Sequence, residues 1–226
     1  MLIPYAGRVR DGRYAFEGER YQLPVGREGH ASHGFAKDEP WGVVDRQGHS
    51  VGLKATVRGE GYPGVLEAEL TYALSGATFS TACEVKNVST RDCPVEVGFH
   101  PYFLAQNWTL EANGGAYKFE LADTHFPTGA KTALDVGALG PGTRLDNPVE
   151  LEGEIKLHSP SRTLTIRRRN MPYVVLFNGK YAEGVSLAVE PYSGLPDAYN
   201  NGIGLAKLEP GATFSCGYDV TLSRKR

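Results

Sequence analysis

Residues 66–88, LEAELTYALSGATFSTACEVKNV, alternate apolar and polar side chains along two runs that flank the Ser75-Gly76 pair. Successive side chains of a β-strand point to opposite faces, so this period of two predicts strands with one buried face. A small residue followed by Gly between two such runs predicts a tight turn. The apolar face of the first run consists of Leu66, Ala68, Leu70, Tyr72 and Leu74.

The same alternation recurs along most of the chain. Further strands are predicted at 43–57, 78–88, 95–103, 108–111, 117–121, 149–157, 163–169, 173–177, 185–190 and 213–222. Only Leu195–Asn201 is compatible with a helical turn, and Gly202 and Gly204 end it quickly. So many strands with almost no helix predict an all-β fold, a large antiparallel β-sandwich, formed as one domain over residues 1–226.

Composition limits the function classes. The 226 residues carry a formal net charge of −2, which argues against nucleic acid or an anionic membrane surface as the main partner. No apolar run approaches the ~20 residues that cross a bilayer, and the N-terminus lacks the apolar core of a signal peptide, so we expect a cytoplasmic protein. Cysteine is too scarce for a disulfide framework or a thiolate metal site, and the alternation places Cys83 and Cys216 in the core.

One unusual segment is VEVGFHPYF, residues 95–103. Its three apolar residues at 95, 97 and 99 share one face, so His100 leaves the opposite face. Pro101 cannot donate a hydrogen bond to a neighbouring strand, which places this His at a strand end or edge. A histidine there is either a general acid or a hydrogen-bonded, half-buried side chain.

A second segment, residues 185–201, follows the same rule. Its apolar residues at 185, 187 and 189 share one face, and Glu190 leaves the other face just before Pro191. The small residues Ser186 and Ala188 leave space in front of the carboxylate. A carboxylate and an imidazole on the same open face form a proton-transfer pair, so Glu190 and His100 are predicted to act together.

Two other clusters allow weaker interpretations. His30-x-x-His33 is compatible with a metal ligand pair, but no further His or Cys has supporting spacing, so we predict no metal and no cofactor. His33 equally suits a polar contact to a ligand hydroxyl, or a loop histidine without function. Arg167–Arg169 is compatible with phosphate binding, although successive arginines of a strand point to opposite faces.

Several motifs together resemble the aldose 1-epimerase (galactose mutarotase) family. They are PYAGRV at 4–9, HGF at 33–35 with Trp41, GFHPYF at 98–103, FPTG at 126–129, EP at 190–191 with PDAYN at 196–200, and LEPG at 208–211. Their order and spacing also match, over nearly the whole chain. The resemblance implies a galactose mutarotase-like sandwich with a sugar in an open cleft across one sheet.

The resemblance also implies residue roles. Glu190 matches the base that takes the proton from the anomeric hydroxyl, and His100 matches the acid that protonates the ring oxygen. His33 and Arg8 match residues that hold the sugar, and Asp146 is the best match for an Asp that does the same. The implied activity is anomer interconversion of a free aldose, with a monosaccharide as the partner.

This chain differs from the family in one respect. Family members carry additional strands before the Arg-bearing segment, so we expect self-association, as a homodimer, through the N-terminal edge.

Three other functions stay open. A sugar-phosphate epimerase would use basic residues among Arg8, Arg10, Arg13, Arg27 or Arg167–Arg169. A non-catalytic carbohydrate-binding protein needs no matched acid and base. A glycoside hydrolase needs a second carboxylate, for which Asp146 and Asp197 are the candidates.

Overall fold

The computed structural model describes residues 1–179 and 185–224, and strands dominate it. The strands are β1 (Arg8–Val9), β2 (Arg13–Phe16), β3 (Glu19–Gln22), β4 (Ala31–Ser32), β5 (Gly42–Gln47), β6 (Ser50–Val57), β7 (Leu66–Ser75), β8 (Thr78–Asn87), β9 (Cys93–Val95), β10 (Tyr102–Leu104), β11 (Thr109–Ala112), β12 (Ala116–Leu121), β13 (Pro127–Ala133), β14 (Asp146–Leu151), β15 (Ile155–His158), β16 (Arg162–Arg169), β17 (Tyr173–Phe177), β18 (Ser186–Tyr192), β19 (Ala206–Leu208) and β20 (Thr213–Arg224). Among the described residues, the helical elements are α1 (Ala198–Asn201) and two 3₁₀ turns at Arg10–Gly12 and Val136–Ala138. The all-β prediction is confirmed.

Eight strands form the larger sheet, in the order β11-β15-β16-β20-β8-β7-β6-β5, with antiparallel pairing throughout. The predicted hairpin lies at its centre as β7 and β8, which pair from Leu66 with Asn87 to Ser75 with Thr78. The turn lies one residue later than predicted, at Gly76 and Ala77, because Gly76 takes the positive φ of 58° that this turn needs.

Six strands form the second sheet, in the order β10-β18-β17-β14-β12-β13. One apolar core joins the two sheets, with Leu66, Val85 and Ile166 from the larger sheet and Val174 and Leu187 from the smaller. This arrangement is the predicted antiparallel sandwich. The three cysteines are buried and unpaired, and Cys83 lies opposite Cys216 in the core as predicted.

Three predicted strands are divided in the structure. Residues 43–57 form the hairpin of β5 and β6, with a turn at Gly48 and His49. Residues 149–157 are divided between β14 and β15 because Gly153 adopts a φ of +66° against the carbonyl oxygen of Asn113. In the 95–103 segment, only the two ends belong to strands, and Gly98 between them forms isolated bridges to Leu2 and Tyr192.

Strand β5 ends the larger sheet at one side, and all of its residues are exposed. Self-association through the N-terminal edge and the single-domain organisation stay predictions. Within the described ranges, no helix is long and apolar enough to cross a membrane.

The N-terminal segment is anchored where it reaches the smaller sheet. Gly34 forms a parallel bridge with Ile3, and the amide of Phe35 donates to the carbonyl oxygen of Ile3 at 2.8 Å. Gly34 has a φ of +61°, and a Cβ added there would lie 2.1 Å from the Ile3 oxygen. This contact fixes the position of His33, the residue before Gly34. Residue 34 must be glycine for two reasons, the positive φ and the lack of space for a Cβ.

We predict that Gly34→Ala destabilises the protein far more than Gly76→Ala. Both glycines have positive φ, but a Cβ on Gly76 meets nothing within 4 Å. Gly76→Ala should therefore lower the free energy of unfolding by about 1 kcal/mol, the cost of left-handed backbone, and Gly34→Ala by several kcal/mol more. Urea denaturation of both variants measures the difference. Equal losses would show that the close approach of the Ile3 carbonyl has no energetic consequence.

Candidate active site

A cleft of about 260 Å³ opens on the face of the smaller sheet that points away from the core. Strands β10, β14, β17 and β18 form its floor, and the segments before β1 and after β4 form one wall. It is lined by Gly7, Arg8, His33, His100, Tyr102, Thr124, His125, Asp146, Pro148, Val175, Phe177, Glu190, Tyr192 and Pro196. All five predicted site residues are in this set, although they come from five separate parts of the chain.

Glu190 lies on β18 opposite Val175, and the residue is only 2 % exposed. Leu187 and Val189 point into the core, so the carboxylate points to the cleft, as the alternation predicts. Burial raises the pKa of Glu190 to about 8, partly offset by a hydrogen bond from Tyr192. The Tyr192 hydroxyl donates that bond to Oε2 at 2.8 Å.

His100 reaches the same carboxylate from the neighbouring segment. Its Nε2 lies 3.3 Å from Glu190 Oε1. The amide of Phe99 donates to the carbonyl oxygen of Pro191 at 3.0 Å, which ties the His segment to the end of β18. The ring stacks on Tyr102 with centroids 5.1 Å apart. Burial lowers the pKa of His100, so its neutral form is favoured.

His33 stands beside His100, with ring centroids 5.7 Å apart. It adopts a φ of +63° directly after β4, and its amide donates to the carbonyl oxygen of Gly7 at 2.9 Å. Burial, followed by the repulsion of His100 and Arg8, lowers the pKa of His33 to about 4. His33 is therefore neutral at pH 7 and can exchange a hydrogen bond with a ligand hydroxyl.

Arg8 and Asp146 lie on either side of the cleft. Strand β1 pairs Arg8 with Ser32, and the guanidinium donates through Nε and Nη2 to Oε2 of Glu28, at 3.0 and 2.7 Å. Asp146 begins β14 opposite Phe177. Burial raises the pKa of Asp146, while Arg8 opposes the rise.

Two buried acids, Glu96 and Asp197, accept hydrogen bonds from backbone amides on either side of Arg8. Glu96 is fully buried, and its Oε2 accepts a hydrogen bond from the amide of Ala6 at 3.1 Å. Burial raises the pKa of Glu96 well above its ordinary value. Asp197 accepts from the amide of Arg10 at 2.9 Å, and its own amide donates to the carbonyl oxygen of Arg8 at 2.8 Å. Asp197 thus supports the wall and is not part of the cleft lining.

The remaining basic candidates are engaged elsewhere. Arg10 pairs with Asp123 at 3.2 Å and lies 4.0 Å from the centroid of the Phe126 ring. Arg167–Arg169 lie on β16 of the larger sheet, where Arg167 pairs with Glu154 and Arg168 donates to backbone carbonyl groups. These arginines, with Arg13 and Arg27, are absent from the lining of the cleft within the described residues.

His30 does not point to the same place as His33. Its Nδ1 accepts a hydrogen bond from the amide of Asp11 at 3.1 Å, and its ring meets the edge of Phe126. In residues 1–179 and 185–224, no group of three or more His, Cys, Asp or Glu side chains is placed to hold a metal ion. The two histidines therefore serve different parts of the wall.

Sequence reasoning missed six lining residues: Tyr192, Thr124, His125, Pro148, Val175 and Phe177. Tyr192 had a usable signal, since it follows Glu190 by two positions and shares its face of the strand. Thr124 and His125 precede the FPTG motif in a connection between β12 and β13, where alternation carries no information. Their placement depends on Arg10, which holds the neighbouring Asp123 and Phe126.

Comparison with known proteins points to one family. Residues 1–220 match the sequence model of the family described as aldose 1-epimerase. The uncharacterized protein YihR of Escherichia coli K12 is 27% identical over 247 residues, covering 100% of this chain and 79% of that protein. Galactose mutarotase of Rattus norvegicus is 30% identical over 157 residues, which cover 65% of this chain and 44% of that enzyme.

A solved structure shows the same fold. The GalM/aldose epimerase homologue from C. elegans superimposes with a TM-score of 0.87 at 19% identity, covering 100% of this chain and 82% of that one. At this identity the likeness shows the fold, and the match over residues 1–220 shows the family. The sequence resemblance is thereby confirmed, and the chain belongs to the aldose 1-epimerase family.

Proposed function

We propose that the protein is an aldose 1-epimerase that interconverts the α and β anomers of a free aldose. The observation that carries the proposal is the contact of 3.3 Å between Nε2 of His100 and Oε1 of Glu190, inside a cleft that fits one monosaccharide. An acid and a base so placed act on the two oxygen atoms bonded to the anomeric carbon, the hydroxyl oxygen and the ring oxygen. Family membership and the similarity to a galactose mutarotase support the same activity.

The reaction needs one proton removed and one delivered. Glu190 takes the proton of the C1 hydroxyl, the O–H electrons form the C1 carbonyl, and the bond from C1 to the ring oxygen breaks. His100 gives a proton to the ring oxygen, which becomes a hydroxyl. Rotation about C1–C2 presents the other face of the carbonyl, and the reverse transfers close the ring. On closure Glu190 returns its proton to the C1 oxygen and His100 regains its proton from the attacking hydroxyl, so no net proton is consumed. Arg8, His33 and Asp146 hold the sugar hydroxyls.

The two catalytic groups share one proton in the active state. A neutral imidazole is too weak an acid for this step, so His100 must be the imidazolium while Glu190 is ionised. This ion pair has the same proton count as neutral His100 beside protonated Glu190, which the two pKa shifts favour at rest. Transfer over 3.3 Å converts one form to the other, so the pKa values that a titration gives belong to the pair.

We predict that loss of either group abolishes most of the acceleration. Polarimetry of freshly dissolved α-D-galactose and α-D-glucose should show faster mutarotation with the protein than without it. Glu190→Gln and His100→Gln should each lose about a hundredfold or more, the usual contribution of a positioned acid or base. The matched controls Glu111→Gln and His158→Gln lie on the larger sheet and should keep wild-type rates. A wild-type protein that accelerates neither sugar nor their phosphates would contradict the proposal.

We predict a bell-shaped pH dependence of kcat/KM. The active pair carries one proton, so the rate falls above pH 8 as Glu190 loses it, and falls again below the lowered pKa of His100 as a second proton binds. Rates of exchange between anomers by NMR, corrected for the uncatalysed reaction at each pH, test this. A rate that keeps rising above pH 9 would instead show that the ionised carboxylate acts without an imidazolium.

The charges of the cleft favour a neutral sugar over a sugar phosphate. Arg8 is its one arginine within the described residues, and Glu28 already accepts both of its donated hydrogen bonds. Asp146 adds negative charge, whereas Glu190 and His100 together are neutral because they share one proton. A phosphate dianion would therefore meet one neutralised cation and one acid.

We predict that kcat/KM for D-glucose exceeds that for D-glucose 6-phosphate by tenfold or more, measured by exchange NMR. Glu28→Gln frees Arg8 from a carboxylate, so the ratio should move several-fold toward the phosphate. Glu154→Gln, which breaks an ion pair with Arg167 on the larger sheet, is the matched control. Preference of the wild-type protein for the phosphate would assign it to the sugar-phosphate epimerases.

A further inference from the structure

The buried Tyr192 has no role in the reaction described so far, although it lines the cleft. Its hydroxyl donates a hydrogen bond of 2.8 Å to Oε2 of Glu190. Burial, followed by the charge of Glu190, raises the pKa of this hydroxyl well above its ordinary value, so it keeps its proton. A phenol has one proton to donate, and here that proton is directed at the carboxylate.

The ring of Tyr192 is locked in one position. It is 1 % exposed and packs with Leu2 and Ala6, with Tyr173 and Val175 against the same cluster. Gly98 passes directly over it, and a Cβ at Gly98 would lie 2.9 Å from Cδ1 of the ring. A side chain so enclosed cannot turn its hydroxyl to another acceptor without moving the strand ends.

The two oxygens of Glu190 therefore have different partners. Oε2 faces the Tyr192 hydroxyl, whereas Oε1 faces Nε2 of His100 at 3.3 Å, toward the cleft. An oxygen that accepts a strong hydrogen bond from a fixed donor is the poorer proton acceptor of the two.

We propose that Tyr192 is a positioning residue that occupies Oε2 of Glu190 and leaves Oε1 as the atom that accepts the proton of the sugar. The proton is taken by Oε1 during ring opening and returns from Oε1 on closure, while the tyrosine keeps its own proton. The kinetic consequence of this inference rests on the proposed function, whereas the hydrogen bond between Tyr192 and Glu190 does not.

Tyr192→Phe tests the proposal because it removes one oxygen atom and keeps the ring. The variant destabilises the ionised carboxylate, so the ion pair of Glu190 and imidazolium becomes rarer and the plateau of kcat/KM should fall about tenfold. For the same reason the last proton leaves the pair at a higher pH. The fall of kcat/KM on the basic side of the pH profile, its basic limb, should therefore move up by about one pH unit. A merely structural defect lowers the plateau and leaves the limb in place.

Tyr199→Phe is the matched control. Tyr199 is also buried, and its hydroxyl can donate its one proton to the carbonyl oxygen of Pro94 at 2.8 Å or of Pro4 at 3.0 Å, both outside the cleft. Its loss should lower the thermal stability without moving the basic limb. A limb that moves equally in both variants, or in neither, would overturn the proposal.

A titration that does not depend on activity separates this inference from the proposed function. In protein labelled with ¹³C at the Glu carboxyl carbons, the resonance assigned to Glu190 by its absence in Glu190→Gln should titrate about one pH unit higher in Tyr192→Phe. An unchanged midpoint would overturn the positioning role even in an active enzyme. A shifted midpoint in a protein that accelerates no sugar would support the hydrogen bond and reject the proposed function.

A second measurement leaves Tyr192 unchanged, in case Tyr192→Phe fails to fold. The near-ultraviolet absorption of a tyrosine changes when its hydrogen-bond acceptor gains a charge. Wild-type protein should show a tyrosine difference spectrum with the midpoint of Glu190, and Glu190→Gln should lack it. The same spectrum in both proteins would rule out the proposed coupling.

Discussion

The burial of one carboxylate, that of Glu190, is the constraint on which the site depends. A carboxylate only 2 % exposed is strongly disfavoured in its charged form unless neighbouring groups stabilise it. The structure supplies one such group on each oxygen, the Tyr192 hydroxyl on Oε2 and His100 on Oε1. The same burial raises the pKa of the acid to about 8, near the pH at which a base must gain and lose a proton repeatedly.

Cross-strand pairing brings the other groups to this carboxylate. Strand β18 lies between β10 and β17, which fixes Tyr102 and Val175 beside it. The N-terminal segment has no long strand of its own, and short contacts hold it against the sheet. Glu96 and Asp197 accept its backbone amides from behind, so two acids outside the cleft determine where Arg8 stands.

Two arginines at the wall of the cleft are paired with carboxylates. Arg8 pairs with Glu28, and Arg10 pairs with Asp123. The pKa of His33 is lowered to about 4, which removes a further positive charge from the cleft at pH 7. An uncharged sugar, bound through its hydroxyl groups, fits such a surface better than an anion.

Sequence reasoning reached the sandwich and the pairing of His100 with Glu190 because both depend on a local property, the alternation of faces along a strand. The alternation at 66–74 and at 185–190 needs no knowledge of partners, and the motifs around it indicated the family. The strand end at Gly153 was missed because the alternation of residues 149–157 continues across the glycine, whereas the polar residues 45–50 around Gly48 were a usable turn signal. The engagement of Arg8 by Glu28, the enclosure of Glu96 and the direction of the Tyr192 hydroxyl were decided only in the folded chain. Each joins residues far apart in sequence, such as Ala6 with Glu96, and burial, which sets their pKa values and hydrogen bonds, exists only once those residues meet.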